Sequence, residues 1–440
     1  MNIISAQNKE IALWCKQYAL EQGADAVRIV LVASTNNSFE FRNEQLENLE
    51  SSTENGLNIE LFVDQKYGNF SSNRLEKEEL KTFIQQGIAS VRYLAKDQYR
   101  QLPSPERYYT DNIDLELVDQ QYFNIPTDKK LNIAKKASEE ILNSHPDIIS
   151  ISSSYADSIS SVYIADSNGF EAQTDKTTYS LMVSVSLKTS SDARAEDFWY
   201  DVATHWDKLQ KEGIGKKALS RALERVGQGK IASGKYTMLL DNMSASRLLS
   251  PIISAMSGGA IQQRNSFLLD KLDQKIFSEK LTIVDRPHQK GKIGSRLYDG
   301  EGVATSERII IDKGQLKTYF IDTYNSAKLG MSPTIASSSG LCLQLGNKTH
   351  EQLIEEINKG IWVTGFNGGN TNSSTGDFSF GVEGFLIEDG KVTKPISEMN
   401  ITGNLLTLWT KIVEIGNNPR KNISSQIPSI VFDDVSFSGL

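Results

Sequence analysis

Residues 239–259, LLDNMSASRLLSPIISAMSGG, run from the end of an apolar strand into an amphipathic helix, and the rest of the chain is arranged around them. Residues 236–240 read as the strand. Asn242 or Ser244 is placed to cap the helix, because a side-chain oxygen there can accept an orphan amide of the first turn. Leu248, Leu249, Ile252, Ile253 and Met256 then recur on one face over 242–256, and Gly258-Gly259 supplies a stop. Pro251 removes a backbone donor, which predicts a kink there or a helix start nearer Ser250. The expectation is a buried central helix whose one ionisable side chain is Arg247.

Outward from this helix, the composition is that of an ordinary globular protein. The chain has 440 residues, 39% of them hydrophobic and 23% charged, which suits two or three domains. A formal charge of -8 argues against a nucleic-acid partner, which needs a basic footprint. The two cysteines, Cys15 and Cys342, lie far apart, and Cys15 sits among Leu13, Trp14 and Ala19 as a buried structural thiol. So few cysteines fit a reducing compartment. The N-terminus lacks a basic, then apolar, signal pattern, and no run approaches the ~20 apolar residues of a membrane span. The expected location is the cytoplasm, with no membrane association.

The first half reads as an α+β layer with a mixed or antiparallel sheet. Residues 8–21 have helical spacing, 26–33 are strand-like, 39–52 alternate less cleanly, and 58–63 and 67–71 read as further strands. Residues 75–94 form an amphipathic helix. Residues 97–127, with Pro103, Pro105, Pro126 and several tyrosines, read as an extended connection packed on the surface. A helix over 129–142 precedes β-type runs at 148–154, 161–165, 170–174 and 179–188, and a helix covers 214–226. Glycines 227, 229 and 234 place a boundary near residue 230, giving an N-terminal α+β domain over 1–230. A β-rich C-terminal domain with a central helix and many hairpins follows over 231–440.

Turn chemistry recurs along the chain. Segments 163–170, 309–316 and 385–392 each place an acidic residue and a glycine between apolar strands, as tight hairpins require. Short helices are expected at 353–359 and 403–415, and a final strand at 429–438.

Local catalytic motifs are lacking. The four histidines, His145, His205, His288 and His350, form no local metal-binding pair. Neither 337–340 (SSSG) nor 373–376 (SSTG) has the GxSxG form of a nucleophile elbow. The run 365–376, GFNGGNTNSSTG, lacks a P-loop lysine. Its glycines, Gly368 and Gly369 among them, instead suit backbone lying close to a ligand.

Residues 238–268, 318–333 (TYFIDTYNSAKLGMSP), 376–395 (GDFSFGVEGFLIEDGKVTKP) and 403–417 (GNLLTLWTKIVEIGN) resemble the TldD/PmbA family. This family is known as a modulator of DNA gyrase and as a peptide-maturation metallopeptidase. The resemblance implies a pair of homologous subunits, one of which carries zinc through an HExxxH motif on the helix equivalent to 242–256. Its histidines fall on Ile253 and Gly258 here, and its glutamate on Ser254. Residues 236–284 contain no histidine, so a small shift of alignment restores none. The resemblance therefore implies the PmbA/TldE-type subunit: no catalytic residue and no cofactor of its own, with zinc on a TldD-type partner. Ser254, Ser257, Gly258, Gly259, Gly368, Gly369 and Asn370 are the expected cavity or peptide contacts. A homo- or heterodimer acting on unfolded or leader peptides is expected. The alternative is a stand-alone peptide-binding or regulatory protein without catalytic activity.

Overall fold

The computed structural model describes residues 3–189 and 194–439. The first half contains α1 (Ala6–Glu21), β1 (Ala26–Arg42), β2 (Gln45–Val63), β3 (Lys66–Ser72), α2 (Lys77–Val91), α3 (Thr127–Glu139), β4 (Ile148–Asp166), β5 (Glu171–Lys188), β6 (Arg194–Ala203) and α4 (Ile214–Glu224). Its six strands form one antiparallel sheet in the order β3-β2-β1-β4-β5-β6. Strand periodicity puts Val27, Ile29, Leu31, Phe39 and Phe41 of β1 on one face, with Ile151, Tyr155, Ile159 and Tyr163 of β4 beside them. Helices α1 and α2 cover one end of that face, and α3 and α4 the other. Cys15 lies on the buried face of α1, where loss of water pushes its thiol up to about 12.

The expected short β runs merge. Runs 148–154 and 161–165 are parts of β4, and 170–174 and 179–188 are parts of β5. Residues 97–127 do form a packed connection: Tyr108 and Tyr122 are buried, and their hydroxyls donate to Asp166 and Asp157, each at 2.6 Å.

The second half contains β7 (Gly234–Leu240), α5 (Ala245–Ala255), α6 (Gly258–Gln262), β8 (Ile283–Asp285), β9 (Arg308–Asp312), β10 (Gln315–Leu316), α7 (Thr323–Leu329), β11 (Leu341–Leu343), α8 (His350–Glu355), β12 (Lys359–Thr371), β13 (Asp377–Glu388), β14 (Lys391–Asn404), α9 (Leu405–Thr410), β15 (Ile412–Ile415) and β16 (Ile430–Ser438). The larger sheet runs β14-β13-β12-β7-β16-β15, and β14 also pairs with β16, so five of its strands close into a barrel. A smaller sheet runs β10-β9-β8-β11. The fold is therefore α+β with a β-rich second half, as expected. Two of the anticipated tight turns carry consecutive positive φ angles, at Lys313-Gly314 and Asp389-Gly390. Among the described residues no helix is long and apolar enough to cross a membrane.

The central helix is present with altered ends. Leu248, Leu249, Ile252 and Met256 are buried in the largest apolar cluster, and Ile253 is partly buried against it. Full burial of a leucine or isoleucine contributes roughly 2 kcal/mol, so this face holds α5 firmly. Gly258-Gly259 does not end α5; it opens α6, because the Ser257 hydroxyl accepts from the Ala260 amide and caps a new helix. Ser244 occupies the cap position of α5, yet its hydroxyl is turned away to the Thr364 carbonyl, and Asn242 donates instead to Asn418. Helix α5 runs through Pro251. The residue one turn back, Arg247, is exposed, so the carbonyl that loses its helical donor lies on the solvent side.

The region 403–415 is also divided. Asn404 ends β14 and caps α9 through the Leu406 amide, and Ile412 begins a strand paired with β16. Helix α8 starts at His350, earlier than expected, with Thr349 and Gln352 forming a reciprocal capping box.

Candidate peptide-binding cavity beside the central helix

Strand β7 leads into α5 through Asp241, which is 8% exposed and fixes the turn. One of its carboxylate oxygens accepts from the Met243 amide at 2.9 Å and the other from Trp362 Nε1 at 3.0 Å. The helix then buries Leu248, Leu249 and Ile252 and leaves Ser246, Arg247, Ser250 and Ser254 exposed on the opposite side. Serines at 246, 250 and 254 are spaced by four residues, so they stack along one edge of the helix.

That edge is one wall of a cavity of about 580 Å³. The facing wall is the far end of β12 and the turn after it, with Gly369, Asn370, Thr371 and Ser373, backed by Phe380 of β13. Asn265 and Phe267, after α6, complete the lining. Arg247 reaches across and donates to the carbonyls of Gly368 and Gly369, at 3.4 and 3.3 Å. Its guanidinium lies 5.0 Å from the Phe380 ring centroid. A side-chain hydroxyl also ties the walls together, since Ser244 Oγ donates to the Thr364 carbonyl of β12.

Of the expected contacts, Ser254, Gly369 and Asn370 line this cavity, and Gly368 borders it through Arg247. Ser257, Gly258 and Gly259 lie outside the lining. Ser257 is committed to capping α6. Gly258 is buried, with its amide donating to the Phe320 carbonyl at 2.7 Å. A Cβ on Gly258 would sit 2.9 Å from Asn325 Cβ and 3.1 Å from the Phe320 carbonyl oxygen. Asn265, Phe267 and Phe380 were not anticipated, because they come from separate segments, whereas Thr371 adjoins Asn370 in the run 365–376. The serine spacing on α5 is the signal that could have indicated an open polar edge.

The positions that the resemblance assigns to the metal do not fit zinc. A catalytic zinc takes three protein ligands bearing lone pairs. Ile253 and Gly258 offer none, Ser254 offers only a hydroxyl, and Gly258 has no space for a longer side chain. Among the described residues, no group of three or more His, Cys, Asp or Glu side chains is arranged to hold a metal ion.

The four histidines are dispersed. His145 pairs with Asp147 across 3.8 Å, His205 with Thr204 at 3.0 Å, and His288 with Thr305 at 3.0 Å. His350 Nδ1 lies 3.1 Å from Ser429 Oγ, a partner far along the chain that sequence reasoning missed. Burial lowers the His350 pKa below its ordinary value, against the opposing pull of Asp241 and Glu351.

A charged network links this region to the first half. Arg225, which follows α4, lies 2.5 Å from Asp197 of β6. Arg221 of α4 also approaches Asp197, at 3.2 Å. Burial works against the Arg225 charge, but Asp197 and Glu383 outweigh it and raise its pKa.

Three family descriptions match the chain: PmbA/TldA metallopeptidase domain 1 over residues 27–91, the central domain over 122–226 and the C-terminal domain over 233–439. The metalloprotease PmbA homolog of Haemophilus influenzae is 28% identical, with 99% of this chain and 98% of that protein covered. Metalloprotease PmbA of Escherichia coli O157:H7 is 26% identical, with 94% and 93% covered. A Bacteroides thetaiotaomicron crystal structure bearing the description modulator of DNA gyrase is 51% identical, with TM-score 0.97 and 100% of both chains covered. TldE of Thermococcus kodakarensis shares the fold at 19% identity, with TM-score 0.83 and 98% and 100% covered. From domain matches spanning both halves and a relative 51% identical along its whole length, the chain belongs to the PmbA/TldD metallopeptidase family.

Proposed function

We propose that this chain is the PmbA/TldE-type, metal-free subunit of a cytoplasmic two-subunit peptidase acting on unfolded or leader-type peptides. A homologous TldD-type subunit bearing HExxxH would supply the zinc and the chemistry. This chain would hold that partner and contribute a peptide-binding cavity, with a division between its halves near residue 230.

The observation that carries this reading is the chemistry of α5 and its exit. Ile253, Ser254 and Gly258 stand where the resemblance places ligands and general base, and Gly258 is packed against Asn325 and Phe320. The cavity gives the peptide role its support. Strand β7 pairs with β12 only from Gly360 to Val363, so the cavity end of β12 pairs with β13 alone. An extended peptide can add to such an edge through main-chain hydrogen bonds.

The test is recovery of the tagged full-length chain from its own cells, followed by metal analysis and peptide-cleavage assays with and without what co-purifies. The expected result is a co-purifying homologue with HExxxH, and zinc and cleavage that depend on it. Stoichiometric zinc and peptide cleavage by this chain alone would overturn the proposal. The stand-alone binding reading draws on the same free edge of β12, and is favoured if peptide binds but no such homologue is ever recovered.

A further inference from the structure

Among the residues lining the cavity, Arg247 is the one with a charge; no Asp, Glu, Lys or His joins it. The two buried arginines among the described residues, by contrast, meet carboxylates: Arg225 lies beside Asp197 and Glu383, and Arg28 beside Glu60, whereas Arg247 is exposed to the cavity. Arg247 has no ion-pair partner among the described residues. Its Nη2 makes the two long contacts to Gly368 and Gly369, while Nε and Nη1 have no acceptor among those residues. The guanidinium is nevertheless held in place over Phe380, which itself stacks on Phe378 with ring centroids 5.7 Å apart.

The remaining lining is neutral and rich in donors. The hydroxyls of Ser246, Ser250 and Ser254 make no hydrogen bond to any described residue, and Thr371 Oγ1 is buried without a partner. A fixed, unpaired guanidinium surrounded by free donors is complementary to a carboxylate, which accepts two parallel N–H bonds from arginine. The chain as a whole carries a formal charge of -8, so this cavity is a local exception to its field. A volume of about 580 Å³ leaves room for the residues that bear the carboxylate.

We propose that the cavity binds peptides through a carboxylate seated on Arg247, either the peptide's C-terminus or an Asp or Glu side chain. This proposal rests on the peptide-binding reading given above and adds the chemical class of the anchoring group. The free edge of β12 would align the main chain, and Arg247 would set where along it the negative charge lies.

The experiment is isothermal titration calorimetry on the full chain with three acetylated pentapeptides: Ala-Gly-Ser-Ala-Phe as the free acid, the same peptide as its amide, and the amide with Glu replacing Ser. The acid, the Glu-containing amide, or both should bind about tenfold or more tightly than the neutral amide, as charged hydrogen bonds require. Preference for the acid alone identifies the C-terminus, and preference for the Glu amide identifies a side chain. Arg247→Met should collapse the preference and Arg247→Lys should retain part of it. An advantage that survives Arg247→Met overturns the proposal. Equal binding of all three peptides overturns it while leaving peptide binding intact. No binding by any of them removes the peptide-binding reading as well.

Discussion

Arg225 Nη1 lies 2.8 Å from Glu383 Oε2, joining the segment after α4 in the first half to β13 in the barrel. Glu383 also accepts from Asn367 of β12 at 3.2 Å, so the contact reaches the strand that forms the cavity wall. Removing the Arg225 charge would leave Asp197 and Glu383 short of their main partner. Arg225→Met should cost about 3 kcal/mol, as breaking a buried pair does. Urea unfolding followed by tryptophan fluorescence measures it. Glu383→Gln should cost less, because the amide can still accept from Arg225.

The two adjacent glycines of β12 should respond differently to alanine. Both have positive φ, +64° at Gly368 and +83° at Gly369. A Cβ on Gly368 meets nothing within 4 Å, so Gly368→Ala should cost about 1 kcal/mol for backbone strain alone. A Cβ on Gly369 would come 2.1 Å from the Ser379 carbonyl oxygen, so β12 must shift away from β13. Gly369→Ala should therefore cost roughly 2–3 kcal/mol and weaken peptide binding. Thermal unfolding and calorimetry on the pair of variants distinguish the two effects.

Restoring single histidines on and after α5 should not restore metal chemistry. Ile253→His supplies one ligand of the three that a catalytic zinc takes. Gly258→His must push against Asn325 and the Phe320 carbonyl, and should lose roughly 1–3 kcal/mol from overpacking. Neither variant alone should bind zinc stoichiometrically or cleave peptide. Metal analysis beside a melting curve checks both statements.

The pH response should carry a contribution from His350. Its Nε2 is buried without a hydrogen-bond partner, and its ring packs 4.7 Å from the Trp362 ring. With the folded pKa held below 6.5, the unfolded chain binds a proton first as pH falls. The stability due to a neutral His350 is therefore complete above about 6.5 and is lost as pH drops from there toward the lower folded value. Melting temperatures between about pH 7.5 and 5.5 should decline less steeply in His350→Gln than in the parent.

What could be read in the sequence follows from where apolar period and burial coincide. Helix α5 was visible because Leu248, Leu249, Ile252 and Met256 share one face, and all four are buried. Strand β6 was missed because its inward positions include Asp197 and Asp201, which are satisfied by charge and hydrogen bonds and carry no apolar alternation. Gly258-Gly259 was misread because a glycine pair marks either end of a helix, and only the Ser257 cap decides between them. Closure of the barrel rests on Asn400 and Ile401 meeting Ser438 and Phe437, a pairing that no local pattern encodes. Within the cavity, Ser254, Gly369 and Asn370 come from the two stretches that the sequence singles out, the central helix and the run 365–376. Asn265, Phe267 and Phe380 depend on distant segments converging.

The family descriptions divide the first half between residues 91 and 122, yet β1 and β4 pair along almost their whole lengths, from Arg28 opposite Asp166 to Arg42 opposite Ser152. Each strand runs beneath both pairs of helices. Neither matched segment is thus a separable folding unit. A fragment ending before α3 would keep β1 as a bare edge, offering unpaired amides and carbonyls to any neighbouring chain. Truncations made at that seam should aggregate, because they cut within the sheet.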